Sequence, residues 1–259
     1  MEPKPLSWSA LKHMAKSPLE YRYRIDHPTP DKPAYLLGRA IHCLVLEPEH
    51  FDERYALCEI TRNPRHKAYQ EWMAEHPDAE ALKPDEWHRV RSATDAVMSH
   101  RVAAEVLTGC RHEEPMEWVD PDTGLKCRGR VDLISSAYVA ELKMTRHIEP
   151  RSFAADAARY GYHGQLGGLY HTGATVLRKI DGNTPPFFIA VDPEPPHDVA
   201  VMQMCLEDLA AGRALVLSLM QRLELCVATS EWPGVAPDLV QLQLPPWAPG
   251  LSTDESEEW

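Results

Sequence analysis

No apolar run in the chain approaches the roughly 18 residues that a membrane span needs. The opening MEPKPLSWSALKHM holds no apolar stretch of signal-peptide type. A cytoplasmic protein without membrane contact is the expectation. There is no CxxC pair: Cys43, Cys58, Cys110, Cys127, Cys205 and Cys226 are scattered. That spacing argues against a zinc ribbon and against a sequence-clustered iron–sulfur site, and leaves reduced thiols as the default. Positive charge is scarce, with 27 Lys and Arg against 39 Asp and Glu and a net charge of −12. At face value this argues against a nonspecific nucleic-acid binder. No internal repeat is visible.

What is present is globular. Hydrophobic residues make up 44% and charged residues 25% of 259 positions, enough to bury a core. The 23 prolines predict many loops. The missing positive charge is also uneven. From Asp181 to the end, 13 acids face only Arg213 and Arg222, so the preceding part is nearly balanced. Between 126 and 151, Lys126, Arg128, Arg130, Lys143, Arg146 and Arg151 meet only Asp132, Glu141 and Glu149. The positive region is local and central.

Hydrophobic spacing predicts a capped helix from Leu6, with Ser7 or Ser9 as cap and Pro18 ending it or starting the next turn. After the loop PTPDKP, a second helix over 34–46 carries Leu37, Ile41, Leu44 and Val45 on one stripe. A short strand over 55–60 and helices over 65–76 and 84–107 follow. Strands are expected over 117–120, 125–135 and 138–143, the first two joined by the turn PDTG. Residues 150–180 are helical in pattern, but Gly164, Gly167 and Gly168 weaken it or admit a closely packed backbone. A strand in PPFFIAVDPEPP, an alternating partner over 197–203 and an apolar helix over 205–228 complete an α+β or α/β chain. Trp118, Trp232 and Trp247 read as packing residues.

The chemistry centres on GRVDLISSAYVAELK. Residues two apart on a strand share a face, so Glu141 and Lys143 project together while Leu142 points away. A tight hairpin brings Asp132 beside them. Paired carboxylates with open coordination positions hold Mg²⁺ against phosphate. A surface hairpin with a Glu–Lys pair, worth under about 1 kcal/mol, fits the same spacing. The apolar flanks VDLI and YVAEL favour buried strands, in which acids need a reason. Arg128 and Arg130 share the face of Asp132, placed to meet phosphates or simply solvent.

Asp132, Glu141 and Lys143 resemble the PD-(D/E)xK nuclease signature. Stretches across most of the chain are similar, in order, to the RecE-type (exodeoxyribonuclease VIII-like) phage and prophage exonucleases. They are SWSALKHMAKSPLEYRY, LGRAIHCLVLEPEHF, WVDPDTGLKCRGRVDLI, VAELK, YGYHGQL, the EWPG of 231–234 and LPPWAPG. The resemblance implies a restriction-endonuclease-like α/β (α+β) core, a central mixed β-sheet flanked by helices. One nuclease domain would span 1–250, with a mainly helical part over 1–110 carrying His42, a core over 111–250 and an acidic tail over 251–259. By the same resemblance, Gly38 and His42 form a G-x-x-x-H motif with His42 as metal ligand. Asp132, Glu141 and the carbonyl of Leu142 complete the ligands of one or two Mg²⁺ (or Mn²⁺), Lys143 is catalytic, and Gln165 lies near the DNA backbone. Implied too are 5′→3′ digestion of linear duplex DNA, a single-strand annealing partner and a ring-shaped trimer or tetramer.

Two positions depart from the family pattern. Val131 replaces the usual proline before the first acid. The family's glutamine is followed four residues later by tyrosine, whereas here Leu169 holds that place and Tyr170 comes one later, about 100° around an α-helix. Glu114 stands where the family often opens the first strand with an acid, which suits a salt bridge or a site contact. Tyr162 suits base stacking or core packing, and His163 is a minor DNA-contact candidate. The rival readings are a catalytically weak nuclease-fold protein that binds DNA or a partner, a Cas4-like iron–sulfur nuclease, whose cysteine clustering is missing here, and an acidic regulatory protein.

Overall fold

The computed structural model describes residues 5–27, 35–245 and 248. The loop PTPDKP, Trp247, most of LPPWAPG and the tail 251–259 lie outside them. The chain enters through α1 (Trp8–Leu11), a 3₁₀ turn (Lys12–Ala15) and α2 (Pro18–Asp26). The single helix expected here is therefore divided. Ser17 is extended and restarts the helix by accepting the Glu20 N–H at 3.0 Å, with Pro18 in the first turn. The Ser7 hydroxyl meets Ser9 instead of capping.

Next come α3 (Leu36–Leu46), α4 (Phe51–Arg54), β1 (Tyr55–Leu57), α5 (Lys67–Glu75), β2 (Glu80–Leu82), α6 (Pro84–Ser99) and α7 (Arg101–Leu107). β1 is shorter than its apolar pattern suggests and pairs in parallel with β2. The helix expected over 84–107 breaks at His100, whose ring accepts the Ala103 N–H and caps α7.

The central sheet is built from β3 (Arg111–Val119), β4 (Lys126–Ile134) and β5 (Val139–Met144), then β6 (Phe187–Val191) and β7 (Val199–Gln203), in that order. β5 and β6 are parallel and every other pairing is antiparallel. A parallel pair needs a long crossover. It is supplied by α8 (Pro150–Tyr160), a π-helix (His163–His171) and α9 (Thr172–Val176). The final element is α10 (Leu206–Thr229). β3 begins at Arg111 rather than Glu117, because its polar first half pairs with the apolar end of β4.

The sheet lies between two apolar layers. On one face Met116, Val131 and Phe188 pack with Leu166 and Leu169 of the π-helix and Val216 and Met220 of α10. On the other, Leu133, Leu142 and Ile189 pack with Ile41 of α3, Val90 and Val97 of α6 and Leu107 of α7. Trp118 is buried in the first layer, and Trp232 stacks on Tyr21 at its edge. The π-helix and α10 cross with their backbones in contact, since a Cβ on Gly168 would lie 2.1 Å from the Gly212 carbonyl oxygen. Among the described residues no helix is long and apolar enough to cross a membrane.

Candidate active site

The site forms where β4 and β5 part. Their regular pairing is confined to Leu133–Ala140 and Ile134–Val139. One step further along, Asp132 replaces a backbone acceptor: its Oδ2 accepts the Leu142 N–H at 2.9 Å. Leu142 buries its side chain beneath the sheet. Its carbonyl shares the strand edge of its N–H, the edge that faces Asp132. Glu141 and Lys143 project from the opposite face, as the strand alternation predicts.

α3 brings in His42. Its Nε2 lies 3.2 Å from Asp132 Oδ2 and 3.5 Å from Glu113 Oε1. The end of α3 is tied to β3 through His112, whose Nδ1 lies 2.7 Å from the Leu46 carbonyl oxygen. Glu113 stands opposite Asp132, between the pairs His112–Leu133 and Glu114–Val131. It adopts a left-handed backbone with φ of 49°. For a non-glycine residue within a strand this costs about 1–2 kcal/mol, and such strain gathers at functional sites.

His42, Glu113 and Asp132 each offer an atom within 4.8 Å of the others, a grouping able to hold a metal ion. Glu113 thus joins the expected ligands His42 and Asp132, and Glu141, the other expected carboxylate ligand, stands beside this grouping with a further set of contacts. Glu141 Oε1 accepts hydrogen bonds from Lys143 Nζ and from Gln165 Nε2, the latter at 2.8 Å. Glu141 Oε2 is buried with no partner. Glu114 is turned away into ion pairs with Lys179 at 2.6 Å and Arg111 at 3.2 Å. The doublet Glu113–Glu114 was visible in the sequence. Which of the two faces Asp132 depends on a strand register that sequence alone does not supply.

The charges at the site press on one another. Burial pushes the Glu141 carboxyl upward, and Lys143 only partly offsets it. Burial acts to lower the Lys143 ammonium, but the fields of Glu141 and Asp132 outweigh it and hold its pKa above the usual value. Glu113 is raised by burial and then by Asp132. For His42, burial acts downward, and the hydrogen bond to Asp132 with the nearby carboxylates carries it above its ordinary value. A divalent cation fits this donor set. Two carboxylates and a histidine converge, and beside them one buried carboxylate oxygen of Glu141 lacks any partner.

Two clefts meet here. The larger, about 1240 Å³, is lined by Lys12, Arg128, Arg130, Lys143, Arg159 and Gln165, among others. The smaller, about 720 Å³, is lined by Arg39, His42, Arg54 and Glu113, among others. Tyr35, Arg130, Met144 and Arg146 line both. Arg128 and Arg130 thus project into the large cleft, and Arg130 also reaches to 3.5 Å from Glu113.

Tyr162 is half-buried against Phe153 and Phe188. Its ring lies 4.6 Å from Lys143 Nζ, so packing over the lysine occupies a residue considered for base stacking. His163 turns away from the large cleft, its Nδ1 3.2 Å from the Ala157 carbonyl oxygen.

Tyr170 is brought in despite its extra residue of spacing. The segment from His163 to His171 is a π-helix, whose i→i+5 bonding adds about one residue to each turn. The fifth residue after Gln165 therefore returns near where an α-helix would place the fourth. Tyr170 lines the large cleft together with Gln165, and burial, then Glu141, push its phenol up to about 12. Its ring lies against the backbone of Gly129, where a Cβ would come within 2.4 Å of it.

The fold recurs in a candidate exonuclease from Eubacterium rectale, at a TM-score of 0.60 and 12% identity over 89% of this chain and 84% of that one. LHK-Exo, in a structure with dAMP, aligns at a TM-score of only 0.32 with 13% identity, over 77% and 96% of the two chains. No curated protein sequence matches. A central mixed sheet, an acid on each of two adjacent strands and a lysine two residues after the second acid define a PD-(D/E)xK nuclease fold. Residues 7–239 match the PDDEXK-like domain of unknown function (DUF3799), and the chain belongs to that family.

Proposed function

We propose that this chain is a metal-dependent exodeoxyribonuclease that hydrolyses linear double-stranded DNA from its 5′ ends and leaves 3′ single strands. The observation that carries the reading is the convergence of His42, Glu113 and Asp132 beside Lys143 at the junction of the two clefts. In this reading His42, Glu113 and Asp132 hold the cation, joined by Glu141 and the Leu142 carbonyl. Mg²⁺ or Mn²⁺ there neutralises charge on the scissile phosphate and lowers the pKa of water.

The remaining work falls to the chain. Water attacks phosphorus, the 3′-oxygen of the neighbouring nucleotide leaves, and the products carry a 5′-phosphate and a 3′-hydroxyl. Negative charge grows on the non-bridging oxygens as the new bond forms. Lys143, kept protonated by Glu141 and Asp132, donates to that charge and does not serve as a base. Glu141 fixes the ammonium in place, and Gln165 holds Glu141 by donating to the same carboxylate oxygen. Arg128 and Arg130 supply contacts to phosphates along the large cleft.

The surrounding biology is proposed on resemblance alone: a cytoplasmic phage or prophage recombination enzyme, a ring of three or four copies, and a single-strand annealing partner. The test uses linear duplex DNA labelled at one 5′ end, with Mg²⁺, with Mn²⁺ and with EDTA. Early release of the label as mononucleotide, abolished by EDTA, is expected. Lys143→Ala should reduce the rate by about 10²–10³-fold, the scale of losing one donor to transition-state charge. Failure to degrade linear or circular DNA with either metal overturns the reading.

A further inference from the structure

The two clefts differ in how their positive charge is held. In the large cleft, Lys12, Arg128 and Arg159 have no ionic partner among the described residues. In the small cleft, arginines are already matched by acids. Arg54 makes a two-pronged contact with Glu47, at 2.7 and 3.1 Å. Arg146, which lines both clefts, lies 3.1 Å from Glu194, whose same oxygen also receives Arg89 at 2.8 Å. Arg39 reaches Glu80 at 2.6 Å. The reacting groups lie between, with Lys143 and Gln165 opening to the large cleft and His42 and Glu113 to the small one.

An anionic polymer gains most where cations are free and least where each is already satisfied. Uncut duplex therefore belongs to the large cleft. We infer that the small cleft is the departure route of the 5′-phosphorylated nucleotide, and that Glu47 and Glu194 keep its arginines occupied so that the product is held weakly. This inference rests on the exonuclease reading above and adds to it a direction through the site. It also gives the two acids a purpose, since a product carrying two negative charges would otherwise linger on Arg54 and Arg146 and slow the next turnover.

The test is binding of dAMP in the presence of Mg²⁺ by calorimetry, alongside its inhibition of duplex digestion. The full chain is compared with the double variant Glu47→Gln, Glu194→Gln. Two freed guanidinium groups should tighten dAMP binding by about tenfold, the scale of one strong charge-assisted bond, and deepen product inhibition to match. Adding Arg146→Ala to Glu194→Gln should reverse the gain, which a general loosening of the fold would not do. Duplex affinity measured in EDTA should be unchanged by Glu47→Gln alone, whose partner Arg54 lines only the small cleft, and weakened by Arg128→Ala with Arg159→Ala. Unchanged dAMP affinity in the folded double variant overturns the inference while leaving the nuclease intact. Absence of DNA degradation by the wild-type chain overturns the enzyme reading itself, and the inference with it.

Discussion

Glu113 concentrates the argument at the scale of single residues. A glutamate with left-handed backbone in mid-strand is unfavourable, and the surroundings hold it there so that its carboxylate meets His42 and Asp132. Glu113→Gln keeps the shape and removes the charge. We expect Mn²⁺ affinity, measured by calorimetry, to fall by about 10–100-fold, the usual scale for disturbing a metal site's supporting groups, or further for a direct ligand. The same substitution at Glu114 should leave metal affinity alone, because that side chain is spent on Lys179 and Arg111. Equal losses at both positions would contradict the assigned register. Asp132, Glu141 and Lys143 were legible in the sequence because strand alternation and a short hairpin suffice to gather them. Glu113 was not, because its place depends on how β3 slides along β4.

Among elements, the π-helix was the least legible. Its glycines pointed to close packing, and that packing is met by α10, where Gly168 and Gly212 touch. The sequence did not disclose that the turn widens and so returns Tyr170 to the side of Gln165. α10 is also pinned to the β3–β4 turn. The Asp120 carboxylate is buried and accepts both terminal nitrogens of Arg213, at 2.7 and 3.0 Å. Burial acts to raise Asp120, but Arg213 and the donors of Thr123 outweigh it and its pKa is depressed. Its folded value lies below the unfolded one, so its contribution is fully present above the unfolded value and fades as pH falls through the folded one. Asp120→Asn should cost about 3 kcal/mol at neutral pH, the scale of breaking a buried pair. The gap to wild type in urea unfolding should narrow as pH drops below about 4, where unfolded aspartate takes up its proton. A gap that stayed constant across that range would mean that the ion pair is not what pins α10.

At the scale of the whole molecule, the puzzle is an acidic chain that is proposed to grip DNA. A net charge of −12 repels a polyanion at long range, yet the large cleft gathers Lys12, Arg128, Arg130, Lys143 and Arg159 on one concave surface. Screening confines the repulsion from distant acids to about 8 Å at physiological salt, while contacts inside the cleft are screened much less. Salt therefore acts on two opposing terms, weakening phosphate contacts and relieving the general repulsion. Duplex affinity in EDTA, measured across a salt series, should still fall as salt rises, with a log–log slope of about −0.9 for each phosphate engaged. Arg128→Ala should reduce the magnitude of that slope by about one and weaken all sequences alike, as expected of a residue that touches phosphate and reads no base. A slope that Arg128→Ala leaves unchanged would place the duplex elsewhere on the molecule and separate the basic cleft from DNA binding. A slope near zero in the wild type would mean that the overall negative charge cancels the cleft, and that a single chain needs further copies to hold a DNA end.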